Sequence, residues 1–270
     1  MIDLMAIFGY KFFQNALIGG VIATAACSWV GLFLILRRES MLGDGVAHTA
    51  FGGIAIGLLL GISPLLAALA ISILSVLGIS YMKKKDLANS DAAIAVIMAM
   101  GFALGLIIIS LAGGFNVELF SYLFGSILTI NTQDLMIVTV LGLVTLIFLG
   151  IFYKELLSMT FDEDAARMKG IPVAAMSIIF NVLVATTIVV SIKVIGIVLV
   201  TALMVIPGLT ALQLNLSFKR TVGAAVGFGT FSTFLGLILS SMYDLATSGV
   251  IVFTAAAIFA FVVIYRRLGR

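Results

Sequence analysis

Charge is scarce in this 270-residue chain. Asp, Glu, Lys and Arg together make up 10% of it, against about a quarter in an ordinary soluble domain. A chain this poor in charge cannot cover itself with polar surface, which excludes a water-soluble globule. Cysteine is nearly absent as well. Cys27 stands alone inside an apolar run, so no intramolecular disulfide can form and the residue reads as a small packed side chain. No G-x-x-x-x-G-K-[ST] stretch occurs, so the chain has no phosphate-cradling loop and no nucleotide site of its own. There is one histidine, His48, and it lies in an apolar run. Ser–His–Asp or Cys–His catalysis needs a water-accessible base, so these absences exclude a hydrolase and point to a protein that is not an enzyme. No low-complexity tract and no soluble domain are visible, and the longest polar stretch is 160–172.

What is abundant is apolar. Hydrophobic residues form 63% of the chain and the mean hydropathy is +1.30. Roughly 20 such residues cross the hydrocarbon of a bilayer. Nine runs qualify, at about 14–36, 45–61, 64–82, 91–111, 134–153, 173–192, 194–214, 221–241 and 247–265. The sixth and seventh are one long stretch, divided near Ser191 and Lys193 because some 40 residues would make a helix twice too long. The chain therefore reads as an all-α polytopic bundle of about nine transmembrane helices, with 8–10 as the range, forming a single transmembrane domain over 1–270. Residues 1–20 carry Asp3 and Lys11 and lead into an apolar run that ends at Arg37 and Arg38. That is too long for a cleaved signal.

The net charge of +3 and the pI near 9.1 do not indicate nucleic acid, because the basic residues form short clusters between apolar runs. With nine spans, thirteen of the fifteen Lys and Arg fall on the C-terminal side, leaving only Lys11 and Lys193 opposite. Positive residues stay inside, so the C-terminus is cytoplasmic and the N-terminus faces out. Lys83, Lys84 and Lys85 read as an anchor against anionic lipid. The segment 116–130, NVELFSYLFGSILTI, is amphipathic but short, and reads as a re-entrant or interfacial helix on the outer side. Its Asn116 and Glu118 read as solvated. Glycines four apart at Gly53, Gly57 and Gly61, at Gly101 and Gly105, and at Gly223 and Gly227 read as helix-packing seams.

Two features carry chemistry. In the loop 160–172, TFDEDAARMKGIP, Asp162, Glu163 and Asp164 precede Arg167 and Lys169. Acids before bases complement a helix dipole, and Gly170 followed by Pro172 is a stop signal. The loop thus encodes a short, stiff cytoplasmic helix that an external partner could push. At 41–53, MLGDGVAHTAFGG, Asp44 and His48 are four apart and share a helix face. Ionisable residues inside a span are expensive and functional by default. A carboxylate and an imidazole one turn apart can share a divalent ion, or Asp44 can accept a hydrogen bond from the ring and pin the helix start. His suits Zn, Mn and Fe, and the carboxylate the harder Mn.

Asp164-Ala165-Ala166, three residues, then Gly170 resembles the Glu-Ala-Ala-x-x-x-Gly loop of ABC importer permeases, with Asp in place of Glu. Leu42-Gly43-Asp44 with His48 resembles the Leu-Gly-Asp-x-x-x-His signature of the manganese/zinc/iron ABC permeases, the ABC-3 family. Ala47 stands where that family often has Ser, and Phe51-Gly52 where a Pro often follows. The stretch 193–214, with Pro207-Gly208 expected to interrupt the helix, and Phe124-Gly125-Ser126 are also similar to the family, and the likeness covers nearly the whole chain.

The resemblance implies a permease subunit of an ATP-driven importer for a divalent transition metal, Mn or Zn foremost and Fe next, in the bacterial inner membrane. It implies a second copy of the chain around one pathway, a cytoplasmic ABC ATPase dimer that supplies hydrolysis, an extracytoplasmic metal-binding protein, and no tightly bound cofactor. Asp44 and His48 are the implied metal residues. Phe161, Asp162, Glu163, Asp164, Ala165, Ala166, Arg167 and Gly170 are the implied ATPase-coupling residues. The rival readings are a siderophore- or cobalamin-type permease and a secondary transporter driven by an ion gradient, which would ordinarily show more buried acids and an inverted repeat.

Overall fold

The computed structural model describes residues 9–114, 117–125, 132–243 and 245–268. Every regular element among them is a helix, as a chain that must satisfy its backbone inside lipid requires. Eight helices are long and apolar enough to cross a membrane. They are α1 (Lys11–Leu36), α2 (Met41–Leu60), α3 (Pro64–Lys84), α4 (Ser90–Leu111), α6 (Thr132–Ile151), α9 (Val173–Ile195), α11 (Phe218–Tyr243) and α12 (Thr247–Leu268). Four shorter helices complete the order: α5 (Val117–Phe124), α7 (Tyr153–Phe161), α8 (Glu163–Met168) and α10 (Ile197–Leu212).

The ninth expected span corresponds to α10, which is shorter than the other eight and packs lengthwise against α1. Val194 at the end of α9 lies against Gly19 and Gly20 of α1. Met204 then meets Gly31, and Gly208 meets Leu32 and Ile35. In sixteen residues, about 24 Å of helix, α10 runs back along α1 from its N-terminal half to its basic end. The turn falls at Gly196, with φ +91°, and not at Ser191–Lys193 as the sequence indicates. Helix α9 runs on through both polar residues because each is satisfied. Ser191 donates to the Thr187 carbonyl at 2.7 Å and contacts Cys27 at 3.1 Å, and Lys193 pairs with Asp134 at 3.5 Å. A Cβ at position 196 would lie 2.5 Å from the Gly125 nitrogen, so only glycine fits where α5 abuts this turn.

Two further differences concern local structure. Pro207 lies inside α10, which continues to Leu212 without breaking. Of the expected outer helix at 116–130, the described part is α5, eight residues long. That is about 12 Å, too short to cross, and 126–130 lies outside the described residues, Ser126 with it.

The core is built around α1 and α2, each 72% buried over its best span-length window, while α4, α6 and α12 turn most of their surface outward. Small residues make this possible. Gly52 of α2 faces the Gly101 carbonyl of α4, and Gly53 and Gly57 face Ala68 and Pro64 of α3. These seams agree with the glycine spacing. Gly61, Gly223 and Gly227 do not: Gly61 caps α2 with φ +64°, and among the described residues nothing beyond the local helix lies within 4 Å of a Cβ built on any of the three.

Candidate functional site: an Asp–His pair in the first half of helix α2

The chain leaves α1 through a left-handed Arg38, with the Glu39 N–H bonded to the Leu34 carbonyl and the Arg38 N–H to that of Ile35. This tight C-terminal closure returns the chain immediately, and α2 starts at Met41, four residues before the sequence indicates. Asp44 therefore falls in the first turn of α2, where the unpaired N–H groups favour its negative charge.

Most of α2 is buried. From Met41 to Ala55 only Met41, Asp44 and His48 are not. Their spacing of three and four places them on one stripe, between the flank that Gly43 sets against Thr201 and Met204 of α10 and the flank that Gly45 and Thr49 set against Ile94 and Gly101 of α4. Helices α2 and α4 run parallel, and Gly101 lies halfway along α4. His48 lies seven residues, about 10 Å, along α2 from Met41. The ring of Phe102 meets the imidazole edge-on, at 5.1 Å between centroids and 83°, and fixes its plane. Among the described residues, neither Asp44 nor His48 has a hydrogen-bond or ion-pair partner within the chain, and no group of three or more His, Cys, Asp or Glu is assembled. The helix-pinning bond between Asp44 and His48 is therefore absent. The pair offers two ligands on an open stripe, with room for others from elsewhere.

Above the pair, the outer ends of α2 and α4 enclose a cavity of about 330 Å³ bounded by α5, lined by Ala55, Leu58, Leu59, Ile108 and Leu119 among others. The side chains that line it are apolar and offer a cation no ligand, so polar contact there comes from the backbone alone. Going inward along α2, His48 and Asp44 are the first that could.

The second predicted feature lies at the basic end. Asp162 caps α8, its carboxylate accepting from the Ala165 N–H at 2.9 Å. Arg167 pairs with Glu163 at 3.7 Å and Asp164 at 3.8 Å. Gly170 takes φ +81° and its N–H bonds to the Arg167 carbonyl, closing the helix. Ala166 is fully buried against the bundle, whereas Phe161 and Met168 are 72% and 84% exposed. This is a rigid helix seated on the membrane domain with apolar side chains offered outward. It follows α7, a nine-residue helix that the sequence reading treated as loop.

Sequence reasoning missed Glu39. Its side chain is 11% exposed, and it pairs with Lys83 and, at 3.4 Å, with Arg37. Lys83 is thus an internal partner and not a lipid anchor. The signal was available, since Arg37, Arg38 and Glu39 stand between two spans, but nothing local assigns Glu39 a partner 44 residues away.

The family model of the ABC 3 transport family matches residues 9–266. The chain belongs to that family. A manganese transport system membrane protein of Halalkalibacterium halodurans is 32% identical over 251 residues, spanning 93% of this chain and 86% of that one. A protein of Haemophilus influenzae named "probable iron transport system membrane protein" is 29% identical over 259 residues, 96% of this chain and 95% of that one. Among solved structures, PsaBC from Streptococcus pneumoniae in complex with Fab superposes with a TM-score of 0.84 at 32% identity, covering 94% of this chain and 91% of that one. As a member of the ABC 3 transport family, the chain is a permease subunit of an ABC transporter, a multi-pass protein of the bacterial inner membrane. Membership removes the ion-gradient-driven alternative.

Proposed function

We propose that the chain, acting over 1–270 as one transmembrane domain, is the permease of an importer for a divalent transition metal, with manganese as its cargo. Asp44 and His48 hold the ion in transit. The observation that carries this reading is their placement: an aspartate and the sole histidine share one stripe of the first half of α2, the residues around them are buried, and neither has a hydrogen-bond or ion-pair partner among the described residues. Two copies of the chain would bring two such pairs to one axis and supply four ligands, a set that Mn, Fe and Zn all accept. The carboxylate favours the harder manganese, and the relatives named for manganese and iron support a first-row divalent ion. A siderophore- or cobalamin-type permease has no use for an ionisable pair at this position.

Energy comes from a separate cytoplasmic ABC ATPase, which docks at the α7–α8 corner through Phe161, the last residue of α7, and Met168 of α8, and is kept in register by the capped 160–172 segment. An extracytoplasmic binding protein delivers the ion to the α5 side. The test is uptake of radiolabelled manganese into proteoliposomes holding the permease, its ATPase and its binding protein. ATP-dependent uptake that zinc and ferrous iron compete with poorly supports the reading. Preferential zinc or iron uptake changes the cargo, and no uptake of any of the three refutes metal import.

A further inference from the structure

Glu39 belongs to neither predicted feature, yet it lies between them. Its backbone closes α1, through the Glu39 N–H to the Leu34 carbonyl, and opens α2, whose Leu42 N–H bonds to the Glu39 carbonyl. Any displacement of Glu39 therefore moves the first turn of α2, which carries Asp44. Its carboxylate is held from two directions, by Lys83 at the end of α3 and by Arg37 at the end of α1. Arg37 also lies over the ring of Phe180 in α9, 5.1 Å from its centroid, and α9 is the helix that follows the 160–172 loop directly. On its other side, the Glu39 cluster opens on a cavity of about 210 Å³ whose far wall is Met159, Thr160, Phe161 and Glu163, the corner between α7 and α8.

The bonding of this carboxylate is one-sided. Oε1 is bonded to Lys83, whereas Oε2, buried and within ion-pair range of Arg37 at 3.4 Å, lacks a directed hydrogen bond. A buried carboxylate with one oxygen hydrogen-bonded, the other only within ion-pair range, and a cavity beside it is a poor choice for stability alone, because desolvation offsets most of the attraction. It suits an element with two arrangements, in which Arg37 and Lys83 shift relative to the carboxylate as the neighbouring corner moves.

We infer that Glu39 is a positioning residue of the transport cycle: through Arg37 and Lys83 it passes movement of the α7–α8 corner to the start of α2, and so to Asp44 and His48. The inference rests on the reading of α8 as the ATPase-docking helix. It assigns no metal contact to Glu39 itself.

The test uses the complete transporter in proteoliposomes, with Glu39→Gln, which keeps shape and hydrogen bonding but removes the charge. Two readouts are taken: manganese taken up per ATP hydrolysed, and the ATP-dependent change in labelling of Met41→Cys by a water-soluble maleimide. Met41 is exposed at the start of α2, and native Cys27 has no exposed surface to compete for the reagent. The expected result is normal assembly and basal hydrolysis, uptake per ATP reduced about fivefold or more, the low end of coupling between sites, and loss of the ATP-dependent labelling change. If Glu39→Gln keeps the wild-type labelling change and uptake ratio, or if hydrolysis, stability and uptake all fall in proportion, the inference is overturned. The labelling arm does not depend on the cargo, so a wild type that carries no manganese but still loses its labelling change with Glu39→Gln refutes the metal assignment and leaves the linkage standing.

Discussion

Substituting Gly101 by Ala in α4 should loosen the wall against which the metal helix is set. A Cβ there would lie 2.5 Å from Thr49 Cγ2 and 2.7 Å from Thr49 Cα. Unstrained carbon contacts need about 3.5 Å or more, so α2 and α4 must part by close to 1 Å. The obstacle is partly backbone and cannot rotate away. Overpacking of this kind costs about 1–3 kcal/mol, while alanine in place of a helical glycine returns about 0.5–1 kcal/mol. The net effect is a loss of about 1–2 kcal/mol. Displacement of α4 also moves Phe102, the residue whose edge fixes the His48 ring at 5.1 Å, so transport should fall further than stability alone accounts for. Gly227→Ala is the control, since among the described residues nothing beyond the local helix lies within 4 Å of its Cβ position. Thermal unfolding of purified permease in detergent, with uptake on the same variants, reads both effects. A Gly101→Ala protein as stable and active as wild type, or a Gly227→Ala protein equally damaged, would refute the close-packing account of this seam.

Two further outcomes follow from named contacts. Lys193→Met removes the ion pair with Asp134, at 3.5 Å between side chains each 15% exposed, and the contact of the ammonium with the Tyr122 ring. The variant should unfold at lower temperature than wild type, measured on the purified permease, and an unchanged unfolding temperature would contradict a structural role for the pair. Asp162→Ala removes the cap bond to the Ala165 N–H and about 1 kcal/mol of local helix stability; co-purification with the ATPase should weaken while the unfolding temperature of the bundle stays unchanged, and an unaltered complex would contradict the docking role of α8.

The membrane fold is legible in the sequence because its determinants are local. Nine apolar runs carry their own length, and the clusters at Arg37, Lys83, Lys219 and Arg266 mark one side. The capped helix at 163–168 is legible for the same reason, since Asp162, Arg167 and Gly170 act within one turn of themselves. The Asp44–His48 pair is visible as spacing, but its surroundings are not. They depend on Gly101 and Ile94, some 50 residues away, lying against Thr49 and Gly45. The same limit explains the misplaced turn in the long apolar stretch. Lys193 reads as a break until Asp134 and Tyr122 are seen to hold it, while Gly196 reads as one glycine among 27. Glu39 was passed over because Lys83, 44 residues away, and the cavity it faces are brought to it by tertiary packing.

The central claim is that cargo passes between Asp44 and His48, and the most direct measurement is metal uptake by His48→Ala beside wild type in the reconstituted transporter, with membrane abundance and basal ATP hydrolysis measured on the same preparations. The account predicts that uptake is lost while abundance and basal hydrolysis persist. Uptake by His48→Ala at the wild-type rate would contradict it.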